Sequence, residues 1–89
     1  MIQHSITPET DLVARDLALL VQIANNYVGN SITIHKDGHQ VNAKSILGMF
    51  ALKIEKGQCL MLSVDGRESN QVVTAIEKFF SNLKYSETM

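Results

Sequence analysis

The sequence predicts a two-layer α+β domain, four antiparallel strands with three helices on one face, in the order β-α-β-β-α-β-α. Three observations predict it. Strand-like alternation and helical spacing of apolar residues take turns along the chain. Asp37-Gly38 sits between two alternating runs, the strongest short signal for a tight hairpin, and tightly joined strands are antiparallel. The three helical stretches carry apolar stripes, which can all be buried against the same sheet.

Taken in order, Ile2, His4 and Ile6 alternate with polar neighbours over Ile2–Thr7, as in a half-buried strand. Pro8-Glu9-Thr10-Asp11 reads as a turn and helix start. From Leu12 the spacing becomes helical. Val13, Leu17, Leu20, Val21, Ala24 and Val28 form one stripe, with Leu19 and Ile23 beside it, so this helix is either deeply buried, which is the expectation, or shows an apolar side to a partner. Asn25-Asn26 and Gly29-Asn30 end it, Gly29 being able to take the left-handed conformation.

Ser31–Lys36 alternates and returns through Asp37-Gly38 as His39–Ala43, which sets His39 opposite Lys36 and His35 opposite Gln40. Ser45 then stands before the short run Ile46, Leu47, Met49, Phe50, a favoured residue for capping a helix N-terminus. Glu55-Lys56-Gly57 turns the chain into a strand at Gln58–Val64, expected to bury Cys59. After Asp65-Gly66, a last helix carries Val72, Val73, Ile76, Phe79, Phe80 and Leu83 on one face, with Glu68, Ser69 or Asn70 placed to cap it. The tail Ser86–Met89 is expected to fray.

Composition narrows the function. The 89 residues are read as one domain, 1–89, and a formal charge of −1 argues against nucleic acid as a direct partner. Lys36, Lys53 and Lys56 come nearest to a basic cluster, and Glu55 interrupts it. One cysteine excludes an intrachain disulfide and suits a reducing cytoplasm. No apolar run approaches the ~20 residues of a membrane span, and Gln3 and His4 break any signal-peptide pattern.

No convergent set of reactive groups is visible, so the chain is not read as an enzyme. His35 and His39 have no third ligand near in sequence, which leaves no metal site and no cofactor. Asp11 and Asp16 bracket the first helix start, where negative charge suits the helix dipole. Ser45 by itself reads as a cap, although the same dipole would tolerate a phosphate there.

The stretch Val41–Met49 (V-N-A-K-S-I-L-G-M), the run Leu20-Val21-Gln22-x-Ala24 and Lys36-Asp37-Gly38 carry a resemblance. Over nearly its whole length the chain resembles HPr, the histidine-containing phosphocarrier of the bacterial sugar phosphotransferase system. The resemblance implies an open-faced β-sandwich. It also implies an active-site motif Gly-x-His-Ala-Arg-Pro, which here reads Asp11-Leu12-Val13-Ala14-Arg15-Asp16. Val13 replaces the phosphate-accepting histidine, Arg15 keeps the arginine that contacts phosphate and partners, and Asp11 and Asp16 bring negative charge toward the anion site. Ser45 matches the serine that an ATP-dependent HPr kinase/phosphorylase modifies in Gram-positive bacteria. Ile46, Leu47 and Phe50 match the apolar patch through which that kinase and a LacI-type catabolite regulator dock. The chain thus looks like the histidine-less Crh type, a regulator in carbon catabolite repression with Ser45 as its phosphorylation site. The alternative is a pseudo-carrier that binds phosphotransferase-system enzymes as a decoy and passes no phosphate.

Overall fold

The computed structural model describes residues 1–87. Its elements are β1 (Ile2–Ile6), α1 (Ala14–Asn25), β2 (Ser31–Lys36), β3 (His39–Asn42), α2 (Ile46–Leu52), β4 (Leu60–Asp65) and α3 (Ser69–Glu87). The four strands form one sheet in the order β1-β4-β2-β3, every pairing antiparallel. Alternation places one residue set inward: Ile6, Ile32, Ile34, Leu60, Leu62 and Val64 are buried, while Gln3, Ser5 and Gln40 face water. The helices cover the inward side with Leu17, Leu20, Ala24, Met49, Val72 and Ile76, giving one continuous apolar core. The other side stays bare, as an open-faced β-sandwich requires.

The hairpin keeps the expected register, with Lys36 opposite His39 and His35 opposite Gln40. Asp37 and Gly38 both have positive φ, 49° and 80°, the conformation a two-residue turn needs to match strand twist.

Four local expectations are corrected. First, α1 begins at Ala14 and ends at Asn25. Leu12 precedes it outside the helix, buried, its N–H donating to the Ile54 carbonyl at 3.1 Å. Val28 falls beyond its end and is 84% exposed. Second, Leu19 is 46% exposed and Ile23 only half-buried, so the second stripe of α1 faces outward. Third, Cys59 is exposed, because β4 starts at Leu60, two residues later than the expected Gln58, and leaves Cys59 in the loop before it. Fourth, α3 continues helical through Glu87, so the expected fraying tail starts inside a helix; Thr88 and Met89 lie outside the described residues.

The start of α3 is capped from a distance. Buried Asn30 accepts the Glu68 N–H through Oδ1 at 3.1 Å and donates from Nδ2 to Glu68 Oε1 at 3.2 Å. Ser69, offered by the sequence as a cap, is instead the first residue of the helix and donates its hydroxyl back to the Gly66 carbonyl at 2.7 Å.

At the far end of α2, Lys36 does what a C-terminal glycine often does. Its ammonium donates to the carbonyls of Leu52 and Lys53, each at 2.6 Å, where the helix leaves carbonyls unpaired and its dipole is negative. Lys53 takes the left-handed conformation there, φ 53°. Lys36→Met keeps the stem and removes both charge-assisted bonds. The expected loss is about 1–2 kcal/mol, seen as a melting temperature lower by roughly 4–16 °C. A change of less than 2 °C in a thermal melt would show that water replaces the ammonium at no cost.

Candidate functional site: two helix starts

α1 and α2 pack against each other and run in opposite directions. Two sets of bonds show this. The loop before α1 is tied to the end of α2 by Leu12 to Ile54, and by the Lys56 N–H donating to Asp11 Oδ1 at 2.7 Å. The last residue of α1, Asn25, donates from Nδ2 to the carbonyl of Lys44 at 3.1 Å, just before α2. The two helix starts therefore stand at opposite ends of the pair, roughly 18 Å apart by the rise of a 12-residue helix.

The α1 start holds Val13, Arg15 and Asp16. Val13 is the N-cap in extended conformation, 57% exposed, and has no side-chain oxygen to accept a backbone N–H. Asp16 reaches back instead, its Oδ2 accepting the Val13 N–H at 3.1 Å. Only the carboxylate half of a capping box is made. One backbone donor at the positive end of the helix dipole is thus taken by the chain's own carboxylate. Asp11 acts differently from the expectation that both carboxylates crowd this point: it is turned to Lys56. Arg15 is exposed and lies along the seam between α1 and α3.

None of the three histidines stands at either helix start. His4 Nε2 lies 2.7 Å from Glu77 on α3, His35 Nε2 is 3.3 Å from Ser63 Oγ on the bare sheet face, and His39 closes the hairpin. Among the described residues no three His, Cys, Asp or Glu side chains gather as a metal site would require. No helix is long and apolar enough to cross a membrane.

The α2 start holds Ser45. It is exposed and extended, and its Oγ accepts the Gly48 N–H at 3.2 Å, as expected of a cap. Two details that sequence spacing could not reveal hold it in place. Asn42 folds the strand end over, its Oδ1 accepting from the Lys44 N–H and its carbonyl from the Ser45 N–H, both at 2.9 Å. Lys44 and Asn25 then pin this turn to α1, the Lys44 ammonium donating to the Tyr27 carbonyl at 3.0 Å. Beside Ser45 the side chains of Leu47 and Phe50 are 78% and 41% exposed. Ile46 differs from the expected exposed patch: it is half-buried and packs on the core, because the first turn of a seven-residue helix lies low against the sheet.

Fold and site define the class: an open-faced β-sandwich whose exposed groups collect at two helix starts and not in a cleft. The family model described as the PTS HPr component phosphorylation site matches residues 2–82. The chain belongs to the HPr family. Over 77 residues it is 39% identical to the HPr-like protein Crh of Halalkalibacterium halodurans, an alignment covering 86% of this chain and 90% of that one. Over 84 residues it is 32% identical to the phosphocarrier protein HPr of Xylella fastidiosa, covering 92% and 93% of the two chains. The crystal structure of a phosphocarrier protein HPr from Bacillus anthracis superposes with a TM-score of 0.82 at 33% identity, covering 89% of this chain and 95% of that one.

Proposed function

We propose that this chain is a histidine-less regulatory member of the HPr family, phosphorylated on Ser45 by an ATP-dependent HPr kinase/phosphorylase in the cytoplasm. In that form it serves as corepressor partner of a LacI-type catabolite regulator, with no catalytic activity of its own. One observation carries the reading. The hydroxyl of Ser45 is exposed at a helix start beside Leu47 and Phe50, while the other helix start offers only the hydrocarbon side chain of Val13. In the transfer, the γ-phosphoryl of ATP passes to Ser45 Oγ, the hydroxyl proton leaves to a base of the kinase, and ADP departs. The product adds about −1.5 to −2 charge and three acceptor oxygens next to an apolar knob, a target for a pocket with a basic rim. Leu47 and Phe50, with the edge of Ile46, supply the apolar contact, and Arg15 offers a cation at the other end of the helix pair.

Purified kinase and ATP test this. One phosphate per chain is expected on the unaltered protein, and none on Ser45→Ala or Ser45→Asp. Ser45→Ala also loses the cap, about 1 kcal/mol, whereas aspartate keeps it, so the pair separates loss of the acceptor from loss of fold. Equal incorporation into Ser45→Ala would remove the reading. The exposed Leu19 on α1 supports a second one, in which phosphotransferase-system enzymes grip α1 without passing phosphate to it. That version expects competition with a histidine-bearing HPr for the first phosphotransferase enzyme. Undiminished transfer to HPr in the presence of excess chain would dismiss it.

A further inference from the structure

We infer that the seam between α1 and α3 is a docking groove for an acidic amphipathic helix of a partner protein. This surface is separate from Ser45 and its apolar neighbours, which belong to α2, and the inference does not rest on phosphorylation.

The groove is built by the outward stripe of α1 and the end of α3. Leu19 and Ile23, one turn apart, form one wall, and Phe79 and Leu83 form the other. It has a volume of about 630 Å³ and lies open along its side. A second trough of about 440 Å³ continues it, sharing Tyr27, Ala75 and Lys78. The whole runs from Arg15 at the start of α1 to Tyr27 beyond its end, roughly 18 Å or three turns of a helix. Small ligands are held by pockets that enclose most of their surface. A peptide added as a strand needs a free sheet edge, and both walls here are helices whose backbone groups are already bonded. An open trough three turns long between two helices suits a third helix, seated by apolar residues at three- and four-residue spacing.

Charge selects the kind of helix. Among the described residues neither Arg15 nor Lys78, both on the rim, has a hydrogen-bond or ion-pair partner. Elsewhere the ammonium groups of Lys36 and Lys44 are spent on backbone carbonyls. The rim carboxylate, Asp16, is turned to the Val13 N–H. Two free cations thus flank an apolar floor, and a partner complements them with carboxylates on either side of its apolar face.

The test uses the full, unphosphorylated chain and a synthetic helical peptide, leucine on one face and glutamate on its flanks, against the same peptide with lysine for glutamate. Amide shifts in ¹⁵N spectra are expected in α1 and α3, with the glutamate peptide binding roughly ten-fold or more tightly than the lysine one. Arg15→Glu/Lys78→Glu, at exposed positions, should reverse that preference, and Leu19→Ser should weaken both peptides. Equal binding of the two peptides, shifts centred on Leu47 and Phe50, or no saturation at millimolar peptide would each overturn the proposal. So would tighter binding of decanoate than of the glutamate peptide in the same groove, which would make it a small-molecule site. The kinase and ATP are absent, so failure here leaves the reading of Ser45 standing, and failure of that reading leaves this one standing.

Discussion

Val13→His alone will leave the chain nearly unlabelled by phosphoenolpyruvate and the first phosphotransferase enzyme, whereas Val13→His/Asp16→Pro will be labelled at least ten-fold more. The imidazole restores a nucleophile, but the single variant keeps Asp16 bonded to the backbone N–H of residue 13 at 3.1 Å. A carboxylate about 4 Å from an incoming phosphoryl group costs roughly 4 kcal/mol at the effective dielectric of a protein surface and about 1 kcal/mol in bulk water, equivalent to about a thousand-fold and about five-fold in transfer. Proline at the first turn of a helix lacks the carboxylate and is pre-set for the helical φ. It also leaves the N–H of residue 13 free for the anion. Label uptake from phosphoenolpyruvate, with acid-labile phosphate as the readout, checks this. Equal labelling of single and double variants would show that Asp16 yields its place freely and does not guard the site.

Gly66→Ala is the substitution expected to unfold the domain most readily outside the core. Gly66 has φ 149°, a region that side-chain-bearing residues rarely adopt. A Cβ there would run into the carboxamide oxygen of Asn30 and stand 2.9 Å from its Cα. Asn30 cannot step aside cheaply, since it is buried and holds the Glu68 N–H that opens α3. Backbone strain and an orphaned helix donor together give about 3–5 kcal/mol, a large share of the 5–15 kcal/mol available to a domain of this size. Urea unfolding measures it. In an Asn30→Ala background the cap is already lost, so the same glycine change should cost about 1–2 kcal/mol less there. Additive costs would mean that the two residues act separately, and a cost under 1 kcal/mol in the parent would show that the turn relaxes.

The parts of the fold that short-range chemistry decides were legible in the chain. Asp37-Gly38 set the register of β2 and β3 because only residues tolerant of positive φ suit a two-residue turn. Ser45 announced the start of α2 by being the preferred cap beside an apolar run. Where several local patterns overlap, the boundaries shifted. Apolar spacing runs unbroken through Leu12 and Val13, so it could not show that Leu12 serves the core from the loop before the helix or that α1 waits until Ala14. Leu19 and Ile23 looked like core because hydrophobicity reports what a residue prefers, not how many faces of a helix the neighbours can cover. Contacts across the fold left no trace in spacing at all. Asn30 caps a helix 38 residues away, and Lys36 closes another 16 away. At the site, the valine at position 13 was plain from the chain, yet the bond that Asp16 makes to the Val13 N–H needed the backbone geometry of the helix start. The half-buried pose of Ile46 likewise follows from how closely α2 lies on the sheet.

The sheet order β1-β4-β2-β3 has a consequence for how the chain is born. The strand that joins the two hairpin strands to the first one is the last to be synthesised, ending at Asp65. Until the ribosome has delivered it, β1 has no neighbour to pair with and β2 has only β3. Folding is then a single late event driven by contacts distant in sequence, which sets a slower pace than a helical bundle of equal length would keep.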